Sequence, residues 1–285
     1  MKSLRSLWVG VVVLASQAHS QSTPTRLLGI VDFRDCVEAG PVLVRPAFIH
    51  TQTGWAPIST GVFDSIAAQS VAWSVGHDGA HIGAVLTAPG LSRKSSAYGP
   101  EWVLRIKVRQ FTPVANPAGA LAGRCGPRAF RPVVAITGGE YGDPANWSPF
   151  SPADSLRQRL LPVVMSKVSL MPGVCPGTKR GLHFVPTPAD LQIRSALRNQ
   201  QGLQMVYVAM PFGSRKCLEG PSGVGPFWIV LGSKPRILEG AKDLLEIADF
   251  DGDGKSEQLF WGGDVGYILF FEEMTRSATL AWRPH

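Results

Sequence analysis

The segment Asp249-Phe250-Asp251-Gly252-Asp253-Gly254-Lys255-Ser256-Glu257 is the stretch of the chain whose residue types and spacing point to a definite chemistry. Oxygen-bearing acids stand at loop positions 1, 3, 5 and 9, and glycine stands at position 6. A hard divalent cation such as calcium takes roughly six to eight oxygens at about 2.3–2.6 Å, and acids alternating along a tightly curled loop point inward to supply them. Asp249, Asp251, Asp253 and Glu257 are therefore the expected carboxylate ligands, with the main-chain carbonyl of Lys255 serving at position 7. Gly254 lets the backbone turn sharply without a Cβ clash. The competing reading is a plain polar hairpin turn. Against it, four acids within nine residues repel one another, and Lys255 alone does not neutralise them.

An EF-hand would carry a bidentate Glu at position 12, where this chain has Phe260. The flanks Leu244 to Ala248 and Leu259 to Trp261 read as strands, so the loop is expected in a strand-loop-strand setting. With Leu-Phe-Trp after the loop and Gly-Tyr-Ile-Leu-Phe beyond it, the segment Ala248 to Phe270 resembles the FG-GAP/VCBS type of repeat. That resemblance implies a loop joining two antiparallel strands of a propeller blade, with calcium bound in it. It covers about 30 of the 285 residues, and position 9 is Glu257 where the family usually has Asp.

The elements that must position this loop are mostly strands. Thirty-one Gly and twenty-three Pro break the chain into short apolar runs, the pattern of a mainly β protein with turns every eight to twelve residues. Runs at 26–33, 42–49, 70–75, 82–87, 102–108 and 133–137 predict an antiparallel sheet in the first half. Asp78-Gly79, between the third and fourth of these, predicts a tight hairpin. The Gly- and Pro-rich stretch 138–151 marks a boundary, dividing the chain into an N-terminal β domain at 21–145 and a C-terminal part at 146–285. In the second part, Ser151-Pro152-Ala153-Asp154 followed by Leu156, Leu160 and Leu161 predicts one helix over 152–161, with Pro162 kinking or ending it. A β-meander follows, with strands expected at 203–210, 227–232, 244–249, 256–261, 266–272 and 278–282, blade-like under the resemblance.

Location follows from the first twenty residues. Lys2 and Arg5, an apolar run from Leu7 to Ala15 and the small-residue end Ala18-His19-Ser20 are laid out as a secretory signal peptide. The run is about ten residues, half of what a membrane span needs. No later segment reaches that length, so the expectation is a periplasmic or extracellular chain without stable membrane insertion. Export favours disulfides, and Cys36, Cys125, Cys175 and Cys217 allow three pairings, of which Cys36–Cys125 with Cys175–Cys217 keeps each bridge within one half. The formal charge is +7, of which Lys2 and Arg5 supply two, and the remaining cations are scattered, which argues against nucleic acid as a partner.

Signatures of common hydrolases, G-x-S-x-G, S-x-x-K and H-E-x-x-H, are absent from the sequence. His77 and His81 flank the predicted turn and lack a nearby third metal ligand, so they read as turn residues. Trp55, Trp102, Trp147, Trp228 and Trp261 could stack on sugars but suit the core of a β protein better. The expected function is a non-enzymatic, calcium-binding module with a protein or glycan partner. Its alternatives are a secreted hydrolase with a site in the N-terminal half, around His81 or His183, and a carbohydrate-binding accessory protein.

Overall fold

Alternation of apolar residues builds the first half of the chain. The computed structural model describes residues 26–33, 42–96, 99–114, 132–167, 187–210, 226–262 and 266–281. Among these residues seven strands fall before residue 137: β1 (Leu27–Phe33), β2 (Val42–Thr51), β3 (Gly54–Pro57), β4 (Ala72–His77), β5 (Ala80–Ser96), β6 (Gly99–Gln110) and β7 (Val133–Ile136). All pairings are antiparallel, in the order β1-β7-β4-β5-β6-β2-β3, and β1 also pairs with β2. Six strands thus close into a barrel, with β3 attached to the free part of β2. Closure satisfies the backbone groups that an open edge would leave exposed.

One apolar cluster has members from all six barrel strands, among them Val31, Val44, Trp73, Val85, Leu104 and Ala135, and this is the barrel interior. Helix α1 (Thr60–Ala67) adds Phe63, Ile66 and Ala67 to it. This helix was not expected from the sequence. Ser59 caps it by accepting the Val62 N–H at 3.4 Å. The Asp78-Gly79 hairpin forms as read: both residues have positive φ, 50° and 71°, the geometry of a two-residue turn matched to strand twist.

The described residues of the second half form two antiparallel sheets. One runs β12 (Arg236–Ile237), β11 (Phe227–Leu231), β10 (Gln204–Ala209), β9 (Gln192–Arg198) and β8 (Ser148–Pro149). The other is the meander β13 (Asp243–Ala248), β14 (Glu257–Trp261), β15 (Tyr267–Phe271) and β16 (Arg276–Leu280). The central strands β14 and β15 are buried on both faces, which explains why they read as continuous apolar runs. Leu259, Leu269 and Phe271 face Leu28, Ile30, Phe48 and Ile136 on the outer wall of the barrel. Phe260, Ile268 and Phe270 face Met205, Trp228 and Val230 of the five-stranded sheet. That sheet's far side, with Val206, Val208 and Ile229, takes helix α2 (Ser155–Met165) through Leu156, Leu160 and Val164. The order of layers is barrel, four-stranded sheet, five-stranded sheet, helix.

The protein is mainly β, as the composition predicts, with two short α-helices among the described residues. Among the described residues there is no ring of blades. Helix α2 is displaced from the predicted 152–161: Ser151 and Pro152 precede it, and Asp154 spends its carboxylate on Arg157 at 2.6 Å and caps no backbone N–H. Pro162 lies inside the helix without ending it. At Thr187-Pro188-Ala189-Asp190, the Asp190 carboxylate accepts from both the Thr187 N–H (2.8 Å) and its hydroxyl (2.7 Å), closing a 3-10 turn before β9. The signal peptide, all four cysteines and His183 lie outside the described residues. None of the helices among the described residues is long and apolar enough to cross a membrane.

Candidate metal centre

The acidic loop joins β13 to β14, whose last and first residues, Ala248 and Glu257, pair across the hairpin. Phe250 is fully buried in the core between barrel and sheet, with its ring edge-on to Tyr141 at 6.1 Å. Anchoring position 2 inward leaves positions 1 and 3 to point the other way. Gly252 and Gly254 take φ of 76° and 85°, conformations that an L side chain resists, and let the chain curl.

The curl gathers one carboxylate oxygen from each of Asp249, Asp251, Asp253 and Glu257 within 4.8 Å of one another. The backbone supplies donors to these oxygens. Asp249 Oδ1 accepts from Gly252 (2.5 Å) and Asp253 (3.1 Å), and its Oδ2 accepts from Gly254 (3.0 Å). Asp251 Oδ1 accepts from Asp253 at 3.1 Å, and Asp253 Oδ1 accepts from Lys255 at 2.8 Å. Glu257 is only 3% exposed, and its Oε2 accepts the Phe250 N–H at 2.6 Å. Burial pushes the Glu257 carboxyl up to about 9, with Asp251 adding to the rise. Asp251 is also raised, by burial first and then by Asp253. Both shifts report one condition, negative charges crowded where water is scarce.

All four sequence-predicted acids are thus brought together. Lys255 is exposed, with its side chain outside the acidic group. A set of hard oxygens without sulfur suits calcium or magnesium better than a softer metal. His77 and His81 sit beside their turn, His77 Nε2 lying 3.4 Å from Asp78 Oδ2, and neither joins an acidic group among the described residues.

The structure adds residues that the sequence did not single out. His50 of β2 places Nε2 3.2 Å from Asp251 Oδ2 and rests edge-on against Trp55 at 5.2 Å. Arg26 donates to the Phe250 carbonyl at 3.5 Å, its guanidinium lying against Gly252. The Asp249 N–H donates to the Gly142 carbonyl at 2.8 Å, and the Ser256 hydroxyl donates to Asp143 Oδ1. These partners come from 107 to 224 positions away in the chain, and no local pattern announces them.

No protein-family model, no curated protein and no solved structure matches this chain.

Proposed function

We propose that this chain is an exported protein that holds one calcium ion in the Asp249–Glu257 loop and serves as a non-enzymatic binding or interaction module for a protein or glycan. Convergence of four carboxylates within 4.8 Å carries the reading, because a divalent cation removes the repulsion that this spacing creates. The Lys255 carbonyl completes the ligand set in this proposal. The strand-loop-strand setting and the resemblance of 248–270 to FG-GAP/VCBS repeats support calcium over a featureless turn. The N-terminal sequence supports an extracytoplasmic location, where free calcium is plentiful.

Thermal melting tests it. With an affinity typical of extracellular modules, about 0.1 mM, millimolar calcium adds about 1.4 kcal/mol and raises Tm by about 3–5 °C. Asp251→Ala removes the increment. Equal melting curves in calcium and chelator, together with no binding heat by calorimetry, overturn the proposal.

A further inference from the structure

Strand β13 carries Glu246 between Leu245, which faces the barrel, and Ile247, which faces the five-stranded sheet. The register against β14 shifts between Leu244 and Glu246, and a bulge of this kind re-aims the side chains beside it. The Glu246 carboxylate, 4% exposed, meets the tip of the β4–β5 hairpin. There Asp78 and Gly79 are consecutive residues at positive φ, 50° and 71°, and successive N–H groups in such a turn form a concave nest that suits an anion. Each carboxylate oxygen takes one of them: Oε2 accepts from Asp78 at 3.0 Å and Oε1 from Gly79 at 2.9 Å. The Ile247 N–H adds a further donor to Oε1 at 3.0 Å.

The two donors of the tip are held by contacts that do not involve the carboxylate. Strands β4 and β5 stay paired as far as His77 and Ala80, on either side of the tip. Ala80 also bridges to Gly142, and the Tyr141 ring packs against Gly76 so closely that a Cβ there would have no room. Tyr141 is itself buried, and burial first, then the charge of Glu246, holds its phenol well above the ordinary range, so the group beside the carboxylate stays neutral. The guest, by contrast, comes from another sheet, 167 and 168 positions along the chain from its donors. A fixed pair of N–H groups, one for each oxygen, is the arrangement by which backbone nests capture carboxylates.

We propose that the β4–β5 tip is a carboxylate-binding nest whose resident guest is the chain's own Glu246, and that it takes a small free carboxylate anion once that guest is removed. The barrel and the meander are then joined at this point as receptor and ligand. The assignment stands apart from the calcium reading, because neither the tip nor Glu246 belongs to the acidic group of the β13–β14 loop.

Glu246→Ala empties the nest and keeps its donors. The full-length variant is unfolded with denaturant at neutral pH in about 0.2 M sodium acetate or in sodium chloride of equal ionic strength, so that screening is the same in both. With an affinity on the order of 20 mM, modest for so small a ligand, acetate raises the folded-to-unfolded ratio of Glu246→Ala about tenfold over chloride. It also moves the Asp78 and Gly79 amide proton resonances downfield in the folded variant. The parent and Glu246→Gln, whose side chains fill the nest, respond to acetate no more than to chloride. Should Glu246→Ala fail to fold in either salt, Glu246→Ser, whose hydroxyl can accept from one of the stranded groups, takes its place with the same expectation. Equal stability in acetate and chloride for the truncated variant overturns the proposal. An acetate response as large in Glu246→Gln as in the truncated variant overturns it too, because the anion then acts elsewhere on the protein.

Discussion

Two hairpin tips in this protein are built from Asp and Gly, and they solve opposite problems. At the β4–β5 tip, Asp78 and Gly79 present two backbone N–H groups that no strand can satisfy, and one carboxylate takes both: Glu246 Oε2 accepts from Asp78 at 3.0 Å and Oε1 from Gly79 at 2.9 Å. Donors there outnumber acceptors until β13 supplies one acid. At the β13–β14 tip the imbalance is reversed. Backbone donors reach the four acids, His50 Nε2 stands 3.2 Å from Asp251 and Arg26 lies against Gly252, yet the four acids still outnumber the cationic side chains named beside them. A tip that is complete in protein atoms needs no ion, whereas a tip with surplus anions is built around something positive. The same hairpin, β13–β14, supplies the acid to the first tip and carries the second, so both can be perturbed in one chain and told apart by their response to calcium.

The largest expected difference lies in pH. In calcium-free buffer, Glu257 titrates near 9 in the folded chain and in the ordinary glutamate range, near 4.5, when unfolded. Between those limits the folded state holds the extra proton, so stability falls as pH rises through the window. It levels off above about 9 and is fully present below about 4.5. Denaturant unfolding from pH 5 to pH 9 should show this decline in the parent, and Glu257→Gln, which mimics the protonated acid, should flatten it. Saturating calcium keeps the carboxylate ionised and should also flatten it. A parent curve independent of pH without calcium would place the Glu257 carboxylate in a better-solvated or better-paired setting than the structure gives it.

Next in size is Glu246→Ala. It strands the Asp78 and Gly79 N–H groups, both bonded to a carboxylate that is itself 4% exposed. Hydrogen bonds to charged groups are worth about 1.5–3 kcal/mol each when one partner is deleted, so a loss of about 3 kcal/mol is expected in chemical denaturation. The decisive feature is that the loss should be the same in calcium and in chelator. A loss that calcium repairs would mean that the two tips are not separate.

What the sequence revealed of this comparison divides along chain distance. The Asp78-Gly79 turn, the strands and the gathered acids are local: period-two alternation, a dipeptide able to take positive φ, and a spacing that curls four side chains inward. Glu246 was not legible, because nothing in Leu244-Leu245-Glu246-Ile247 says that its carboxylate will meet a turn 167 positions away. Asp143 and Ser256 were hidden for the same reason. Helix α1 went unread because Thr60, Gly61 and Val62 are poor helix formers, and its stability comes from placing Phe63 and Ile66 in the barrel. Barrel closure depends on β1 pairing with both β2 and β7, a property of register that periodicity does not carry. The predicted start of α2 failed because Asp154 pairs with Arg157, a competition between two local partners that the capping pattern ignores.

The smallest expected contrast pits Gly79→Ala against Gly252→Ala. Both glycines sit at nearly the same left-handed φ, 71° and 76°, so each substitution carries the same intrinsic penalty of about 1–2 kcal/mol. Their surroundings differ. A Cβ at Gly79 would lie 2.8 Å from the Asp143 Cβ, an atom fixed to the backbone of the segment between β7 and β8, so something must shift there. The three atoms nearest a Cβ at Gly252 all belong to the guanidinium of Arg26, the first at 2.3 Å, and the far end of a long side chain can swing away. Gly79→Ala is therefore expected to cost about 2 kcal/mol and Gly252→Ala about 1 kcal/mol in denaturant midpoints converted with a common slope. Displacing Arg26 from the loop also takes a positive charge away from the acids, so Gly252→Ala should bind calcium at least as tightly as the parent. Equal costs at the two positions would show that the backbone at Asp143 yields as easily as an arginine tip, and the β4–β5 tip would then be less complete than its hydrogen bonds imply.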